Sequence, residues 1–380
     1  MDRTIAHFDL DSFFVSVERL LNSDLIGKPV IIGGTSDRGV VSSCSYEARK
    51  FGVHSAMPMR MAKRLCPNAI YVRGDYDQYS KYSSMVTAVI DAKAPLFEKA
   101  SIDEHYIDIT GMDKFFGCLN WTKELRQTII KETGLPISFG LSVNKTVSKI
   151  ATDESKPNGE LEVRQERVRP FLNPLSVTKI PMVGEKTGMM LKSMGVHTIE
   201  TLSKIPLETM IRVMGENGKI FWQKANGIDN SIVEPYRERK SISAEETFEK
   251  DTIDIKLLEM KLLGMADDLA FQLRKEKKLA SVLTVKIRYS NFDTHTQQVK
   301  IPYTSADHIL QPKVKEIFQK LYNRRMLIRL IGLKLSNFAS GHYQAHLFDD
   351  SEEMLNLYQA MDKMKIRYGD DAVVKAFRLR

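Results

Sequence analysis

Three acidic side chains at the ends of predicted strands could support metal-dependent chemistry. Asp9 closes the first apolar segment, TIAHFDL, whereas Asp103 and Glu104 are adjacent in SIDEHYIDIT. Neighbouring residues of a regular strand point to opposite faces, so both carboxylates can reach one site only if the backbone turns or bulges there. We therefore predict a tight hairpin at residues 101–104. For this dipeptide alone, an acidic turn exposed to water is the alternative.

The chemistry expected of these carboxylates is phosphoryl transfer. Gathered carboxylates repel one another, and burial raises their pKa values. A divalent cation removes the conflict, and all-oxygen ligands favour Mg²⁺, which commonly shares its carboxylates with a substrate phosphate. Two such ions about 3.5–4 Å apart support an in-line displacement at phosphorus, because they can activate the attacking oxygen and stabilise the leaving one. Asp11 forms Asp-Leu-Asp with Asp9, but we expect it to cap the following helix rather than to bind metal.

Other side chains suit a triphosphate. SYEARKFG places Tyr46 and Arg49 three residues apart on one helical face, and SKPNG presents Lys156 before a Pro-Asn-Gly turn. Arginine offers paired donors to phosphate oxygens, and lysine offers a mobile point charge. Without the carboxylates, these residues would be interpreted as surface cations.

The order of predicted elements explains how the carboxylates can meet. After the strand that ends at Asp9, and omitting residues 12–74, the pattern predicts a helix over 75–94, two strands around 97–109, a helix over 121–132 and the strand PISFGLSV. This is the split βαβ order of a ferredoxin-like sheet, in which the strands that carry the carboxylates are neighbours. The omitted stretch, with strands at PVIIGG, VVSS and AIYV, is predicted to be a small inserted domain.

Two further modules follow. IPMVGEKTGMMLKSMG has the form of a helix-hairpin-helix, whose helix N-terminus suits a phosphate oxygen, although a plain helical hairpin is an equal alternative. EPYRERKSISAEE has the charged, weakly patterned composition of a linker. Helices at 254–277 and 305–322 with strands SVLTVKIRYS, TQQVKI and LIRLIGLKLSNF then predict an α+β module. There Lys286 and Arg288 alternate with apolar residues, which gives a basic face for a nucleic-acid backbone or an ordinary solvated face.

The composition is that of a globular protein with a mild positive excess. The 380 residues are 43% hydrophobic and 27% charged, with a formal net charge of +8, which favours several domains and a polyanionic partner. No apolar run reaches the roughly 18 residues of a membrane span, and MDRTIAHFDLD lacks a secretory signal, so we expect a cytoplasmic protein that does not contact membranes. Cys44, Cys66 and Cys118 lack paired spacing, which argues against a zinc site or disulfides.

Six motifs, in order over nearly the whole chain, resemble those of Y-family DNA polymerases of the DNA polymerase IV type. They are HFDLDSFFVSVE, SYEARKFGV, SIDE, GLSVNKTVSKIATDESKPNG, IPMVGEKT and RLIGLKLSNF. Each motif is weak alone, but six in register argue strongly against a chance match. The resemblance implies template-directed addition of deoxynucleotides at low fidelity, without proofreading and past damaged template bases.

The resemblance also implies a hand-shaped α+β architecture: a ferredoxin-like palm with inserted fingers, an all-helical thumb with a helix-hairpin-helix, and a separate α+β little finger. The predicted divisions are palm 1–11 and 75–165, fingers 12–74, thumb 166–232, linker 233–242, little finger 243–341 and C-terminal tail 342–380.

Functional residues carry over by position. Asp9, Asp103 and Glu104 would hold two Mg²⁺ ions, with the Leu10 carbonyl as a backbone ligand. Phe14 falls at the steric gate, an aromatic ring beneath the sugar that excludes ribonucleotides. The predicted nucleotide-binding residues are Phe13, Phe14, Ser42, Tyr46, Arg49, Ala56 and Lys156, with Ser42 and Ala56 over the nascent base pair. The predicted DNA-binding residues are Val183, Gly184 and Lys186 in the thumb and Lys286, Arg288, Arg329 and Lys334 in the little finger.

One position departs from the family pattern, and one C-terminal peptide adds a further resemblance. His105 stands where the family usually carries a small or apolar residue, and its effect on fidelity or lesion choice has no predicted direction. QAHLF resembles the short peptide by which bacterial polymerases bind the sliding clamp, with Gln344, Leu347 and Phe348 as anchors in an extended tail. A surface segment that packs on its own domain is the alternative.

The expected partners are primer-template DNA, an incoming dNTP and the sliding clamp, and we expect a monomer. A two-metal nuclease is a rival interpretation, but it has no use for Tyr46, Arg49 and Lys156 around a triphosphate. A catalytically silent, DNA-bound scaffold is a second rival. Such a protein would be expected to have lost the carboxylates, and all three are present.

Overall fold

The structure is a computed structural model that describes residues 3–34, 36–112, 117–341 and 352–378. Its contacts define two compact units, Met1–Arg237 and Glu238–Arg380. The predicted clamp peptide, Gln344 to Phe348, lies outside the described residues. Within those residues, no helix combines the length and apolar character needed to cross a membrane.

The first unit contains two sheets and a helical region. Its strands are β1 (Ile5–Leu10), β2 (Val30–Gly33), β3 (Val41–Cys44), β4 (Ile70–Val72), β5 (Phe97–Lys99), β6 (Glu104–Asp108), β7 (Ile137–Ser142) and β8 (Glu160–Val163). Its helices are α1 (Phe13–Leu21), α2 (Tyr46–Arg49), α3 (Met59–Leu65), α4 (Tyr76–Asp91), α5 (Cys118–Thr133), α6 (Lys145–Ser155), α7 (Val168–Leu172), α8 (Glu185–Ser193), α9 (Ile199–Ser203), α10 (Leu207–Met214) and α11 (Glu216–Ala225).

The larger sheet has the predicted ferredoxin-like topology. Its spatial order is β5-β6-β1-β7-β8, and without the unpredicted edge strand β8 the chain order β1-α4-β5-β6-α5-β7 is that of the split βαβ fold. The predicted hairpin is also confirmed, because the backbone N–H groups of Ala100 and Ser101 both donate to the Glu104 carbonyl, at 3.0 and 3.3 Å. The sheet therefore brings β6 alongside β1, which carries Asp9.

Helices cover both faces of this sheet. Every residue of β1 is buried, and Phe8 packs into the core formed with α4 and α5. Helix α6 contacts β1 and β7, and His7 reaches it through Thr152, with 2.8 Å between Nδ1 and Oγ1. Gly140 permits this close approach, since an added Cβ would collide with the Ser148 carbonyl oxygen of α6. Helix α6 can thus present polar side chains at short range to one face of β1 and β6.

The smaller sheet and the helical region complete the first unit. Strands β3-β2-β4 form a three-stranded sheet, in which the apolar β2 pairs in parallel with β4. Helices α7 to α11 share a separate apolar core with α6. This all-helical region includes Gly184, which caps the start of α8 without a side-chain hydrogen bond.

The second unit is one antiparallel sheet with helices against one face. Its elements are β9 (Ser241–Thr252), α12 (Ile255–Lys275), β10 (Lys278–Tyr289), β11 (Thr294–Thr304), α13 (Asp307–Leu321), β12 (Ile328–Ser340) and α14 (Glu352–Tyr368). The strand order is β11-β10-β12-β9. Buried residues of the strands and of α12 and α13 form a single core.

Two predictions for this unit are wrong. The stretch interpreted as a linker through residue 246 contains the start of β9, whose buried Ile242 and half-buried Ala244 alternate with the polar residues Ser241, Ser243 and Glu245. The tail around the clamp peptide was expected to be extended, but residues Glu352–Tyr368 form a helix. That helix packs against the rest of the second unit: Tyr358 is only 4% exposed, and Asp362 pairs with Arg274 of α12 at 2.7 Å.

Candidate active site

A cavity of about 150 Å³ opens beside the end of β1 and gathers most of the predicted metal and nucleotide residues. Its lining residues are Asp9, Leu10, Ser12, Phe13, Phe14, Ser42, Ser43, Arg49, Ser55, Asp103 and Lys156. Glu104, Tyr46 and Ala56 are not part of this lining. The cavity therefore combines carboxylates, two cations and an aromatic wall in one concave site.

Asp9 is an electrostatically strained carboxylate at the base of the cavity. It is 5% exposed, and its Oδ1 lies 2.5 Å from Nζ of Lys156. The pKa of Asp9 is raised to about 7, chiefly by burial and also by the charges of Glu104 and Asp103, against the opposing effect of Lys156. Negative charge at this position is thus only partly compensated by the protein.

Glu104 is opposite Asp9 in the register of β6 and β1. Lys149 of α6 donates to Glu104 Oε1, and Nε2 of His7 lies 3.8 Å from Oε2. Burial opposes ionisation of Glu104, but His7 and Lys149 outweigh it and hold the pKa of this carboxyl below its usual range. Because burial lowers the pKa of His7, the compensating charge comes from Lys149.

Asp103 is held by the hairpin itself. Its backbone carbonyl accepts from the Leu10 N–H at 3.1 Å, and its Oδ1 accepts from the Ser101 hydroxyl at 2.6 Å. The same hydroxyl oxygen accepts from the backbone N–H of Glu104 at 3.0 Å. Ser101 therefore fixes the turn that lets two consecutive carboxylates approach Asp9.

The carboxylate oxygens suit a hard divalent cation, although their side chains are not arranged as a complete metal-binding site. In the described part of the chain, no three acidic, histidine or cysteine side chains are grouped at metal-binding distances. Instead, the ammonium groups of Lys156 and Lys149 contact Asp9 and Glu104, where a metal ion would be expected to bind. Carboxylate oxygens with incomplete charge compensation are the ligands that Mg²⁺ prefers.

The prediction that Asp11 caps α1 is wrong. The cap is Ser12, in a left-handed conformation and without a side-chain cap hydrogen bond, so the Asp11 carboxylate is not directed at the helix N-terminus. It accepts instead from the hydroxyls of Tyr46 and Ser138 and from the backbone N–H of Asn158. The Asp11 carboxylate thus binds donors that are distant in sequence instead of the N–H groups at the start of α1.

The aromatic and basic side chains of the inserted region face the cavity in a fixed arrangement. Phe14 stacks on Tyr79 of α4, with ring centroids 4.2 Å apart and planes at 12°. The Arg49 guanidinium lies over the Tyr46 ring, 4.7 Å from its centroid. Phe13 is 3% exposed, whereas Ser42 and Ala56 are exposed. These contacts orient Phe14 and Arg49 before any ligand binds.

Among the predicted DNA-binding residues, Gly184, Lys186 and Lys334 are exposed, whereas Lys286, Arg288 and Arg329 are half-buried. Val183 is buried, so it can offer only its backbone beside the exposed Gly184 and Lys186. In the second unit, Lys286 is already ion-paired with Glu245 at 2.8 Å.

The other basic residues of that sheet are available at its surface. Lys334 is exposed and is the cross-strand partner of Thr284, so it shares the uncovered face with Arg288. The Arg329 guanidinium lies 4.7 Å from the centroid of the exposed Phe292 ring.

The comparisons with known proteins agree with this architecture. Residues 8–153 match the model of the impB/mucB/samB family, and residues 239–347 match that family's C-terminal domain. A solved "Y-family DNA polymerase chimera" of Dbh and Dpo4 superposes with a TM-score of 0.80 at 26% identity, covering 89% of this chain and 100% of that chain. The DNA polymerase IV of Dehalococcoides mccartyi strain 195 is 38% identical over 98% of this chain and 96% of that protein.

The chain belongs to the Y family of DNA polymerases. The DNA polymerase IV of Listeria innocua, another similar relative, is 37% identical over 90% of this chain and 97% of that protein. The resemblance and the α+β fold class predicted from the sequence are thereby confirmed. The residue assignments and the domain divisions stay predictions.

Sequence reasoning missed several residues that organise this Y-family site. Lys149 precedes Lys156 by seven residues, a spacing of about two helical turns that could have linked the two lysines, although Lys156 itself follows the end of α6. Asp11 was noticed two residues after Asp9, but it was assigned to helix capping. Ser101 and Tyr79 had no such signal, because their partners depend on how the hairpin and α4 pack.

His105 packs on the opposite side of the sheet from the carboxylates. It is fully buried, and its Nε2 lies 3.0 Å from the Thr87 hydroxyl of α4. Burial, with a contribution from Lys99, lowers the pKa of His105 to about 3. A neutral His105 is therefore part of the core between sheet and helix.

Proposed function

We propose that this chain adds deoxynucleotides to a primer 3′-hydroxyl under the direction of a DNA template, using two Mg²⁺ ions, at low fidelity and past damaged template bases. Its family makes it a DNA-directed DNA polymerase of the translesion class. The observation that supports the chemistry is the cavity that places Asp9 and Asp103 together with Arg49, Lys156 and Phe14. This combination suits a nucleoside triphosphate better than a simple phosphate ester.

The Y-family fold implies a divalent metal cofactor, and the donors at this site fit one. We propose that Asp9, Asp103 and Glu104 hold two Mg²⁺ ions, with the Leu10 carbonyl as a backbone ligand. Support comes from the raised pKa of Asp9, which reflects buried and incompletely compensated negative charge. The bound ions would activate the primer hydroxyl and stabilise the leaving pyrophosphate.

The protein's own groups would bind and orient the nucleotide. Arg49 and Lys156 line the cavity and would bind the triphosphate, with Tyr46 as a third contact. The Phe14 ring would lie beneath the sugar as a steric gate, with Phe13 packed behind it. Ser42 and Ala56 would cover the nascent base pair. Catalysis would then depend on positioning and charge stabilisation rather than on a side chain acting as general base.

The proposed DNA contacts are to the phosphate backbone. In the thumb, Val183 and Gly184 would contact the primer strand through their backbone, and Lys186 through its charge. In the little finger, Lys286, Arg288, Arg329 and Lys334 would contact the template strand. Affinity for primer-template DNA should therefore fall steeply as salt concentration rises.

We also propose that the chain acts as a monomer and binds the sliding clamp through Gln344, Leu347 and Phe348. The support is the resemblance of QAHLF to clamp-binding peptides of bacterial polymerases. A Leu347→Ala/Phe348→Ala variant should extend primers as the parent does without clamp, and should lose the longer products that clamp addition gives. Equal stimulation of both proteins by the clamp would overturn this assignment.

A primer-extension assay tests the proposed function directly. Product growth that needs template, dNTP and Mg²⁺ together supports a polymerase. Shortening of the primer without any nucleotide requirement would instead identify the two-metal nuclease, and DNA binding without either reaction would identify the silent scaffold.

A further inference from the structure

We infer that Asp11 is a positioning residue for the nucleotide site: its buried carboxylate fixes Tyr46 and the turn that presents Lys156. This inference rests on the proposed function, because both of those residues are proposed triphosphate contacts. It assigns a role to a carboxylate outside the three that would hold metal.

The Asp11 side chain is a buried hydrogen-bond acceptor for three different segments. Its residue is 2% exposed. Oδ1 accepts from the Tyr46 hydroxyl at 3.2 Å, and the Ser138 hydroxyl lies 3.0 Å from Oδ1 and 2.9 Å from Oδ2. Oδ2 also accepts from the Asn158 backbone N–H at 2.7 Å. A buried carboxylate needs such donors, and hydrogen bonds to an ionised acceptor are stronger than neutral ones.

The backbone of Asp11 is itself held firmly. Its N–H donates to the Pro136 carbonyl at 3.0 Å, and its carbonyl accepts from the Ser16 hydroxyl at 2.6 Å. Ser12 then adopts a positive φ of 44°, which reverses the chain between β1 and α1. The backbone of Asp11 is therefore fixed on both sides, which holds its carboxylate in a position to bind the three neighbouring segments.

The turn after α6 depends on the Asp11 carboxylate. Lys156 leads into Asn158, which has a positive φ of 52°, and into Gly159, where an added Cβ would collide with the Ser155 carbonyl oxygen. Asp11 holds the Asn158 N–H, and Ser138 accepts from the Gly159 N–H at 3.1 Å. With the turn fixed two residues beyond it, Lys156 is directed at Asp9.

On the other side, Asp11 fixes the first residue of α2. The Tyr46 hydroxyl crosses from the inserted region to the ferredoxin-like sheet to reach Asp11. Its ring in turn supports the Arg49 guanidinium. One carboxylate thus sets the positions of Lys156, Tyr46 and, through Tyr46, Arg49.

Asp11→Asn is the most informative variant, because an amide of similar size has one acceptor oxygen and cannot accept from all of these donors. We expect the KM for the incoming dNTP to rise by about 10- to 100-fold, as for loss of one or two charge-assisted hydrogen bonds. The kcat should stay within about threefold, because the residues that would hold metal keep their places. Affinity for primer-template DNA should not change.

The test combines single-nucleotide incorporation with dNTP binding to a dideoxy-terminated primer complex in Ca²⁺, which gives a dissociation constant without turnover. Tyr46→Phe removes the hydroxyl that donates to Asp11 and should also weaken dNTP binding. The double variant should bind dNTP little worse than Asp11→Asn, because both substitutions remove the same Tyr46–Asp11 hydrogen bond. Asp229→Asn is the matched control, since that half-buried carboxylate accepts from Thr146 and Ser231 away from the cavity.

The outcomes separate this inference from the proposed function. A wild-type chain that does not extend primers overturns the proposed function. A wild-type chain that does, with a normal dNTP KM in Asp11→Asn, overturns the inference alone. If Asp11→Asn does not fold, unchanged dNTP binding by Tyr46→Phe overturns it, and the same KM increase in Asp229→Asn would show a purely structural effect.

Discussion

Asp9 on β1 and Glu104 on β6 are direct cross-strand partners, and each carboxylate contacts its own lysine, Lys156 or Lys149. Facing residues of an antiparallel pair have Cβ atoms only about 5 Å apart, so two like charges would destabilise this pair. The two lysines relieve that repulsion in the absence of other cations. The site thus carries its own charge compensation on α6 and on the turn that follows it.

Replacing Lys149 by methionine should impair catalysis without unfolding the protein. Glu104 loses the group that orients and neutralises it, so we expect kcat to fall by about tenfold, equivalent to about 1.4 kcal/mol. Lys145→Met is the control, because Lys145 is on the same helix and pairs with Glu98 at 2.6 Å, away from the cavity. Equal losses of kcat in the two variants, measured by single-nucleotide incorporation, would show that Lys149 has only a structural role.

Phe14→Ala should admit ribonucleotides. The ring is held against Tyr79, so it cannot easily swing away from a 2′-hydroxyl, and its removal opens that space. We expect the ratio of ribonucleotide to deoxynucleotide incorporation, compared as kcat/KM, to rise at least about tenfold. Tyr79→Leu, which removes the supporting ring, should give a smaller rise. An unchanged ratio in Phe14→Ala would contradict the gate assignment.

His105 should make the first unit sensitive to acid. Its pKa is lowered to about 3 in the folded chain, whereas an unfolded histidine has a pKa of about 6.5. Below that value only the unfolded state takes up the proton, so His105 should cost about 2 kcal/mol of stability between pH 7.5 and pH 5. The His105→Gln variant should lose less stability than the wild type over the same pH range, by about this amount.

Urea unfolding followed by tryptophan fluorescence measures this difference, because Trp121 and Trp222 both belong to the first unit. The exposed His197 provides a control in His197→Gln, which should keep the wild-type acid sensitivity. Parallel stability losses in wild type and His105→Gln would refute the prediction.

Lys375→Met should destabilise the second unit. Lys375 pairs at 2.8 Å with both Asp267 and Asp307, which are 5% and 2% exposed. Removing it leaves buried carboxylates short of positive charge, so we expect a loss of about 2–4 kcal/mol. Lys320→Met breaks an exposed pair with Glu316 and should cost less than about 0.5 kcal/mol.

Hydrogen exchange of α12 and α13 in the full chain reports on this loss, because the tryptophans lie in the other unit. Faster exchange in Lys375→Met than in Lys320→Met is the expected result. Equal protection of both helices in the two variants would show that the C-terminal segment does not stabilise the unit.

The sequence predicted those features that depend on local pattern or on a known topology. The hairpin at residues 101–104 followed from the need to aim two consecutive carboxylates at one site. The role of Asp11 did not follow, because its partners Ser138 and Asn158 are 127 and 147 residues away and the nearby helix offered a simpler local bond. Strand β9 was missed because few of its residues are large and apolar, and α14 was missed because its docking depends on side chains of α12 and α13.

Primer extension by Asp103→Ala and Glu104→Ala, compared with wild type on the same primer-template, tests the central claim most directly. Both variants should bind primer-template DNA as tightly as wild type, since the proposed DNA contacts lie elsewhere. Extension should fall by at least about 10³-fold, equivalent to about 4 kcal/mol of transition-state stabilisation. Wild-type rates of extension in either variant would contradict the assignment of these carboxylates as the catalytic centre.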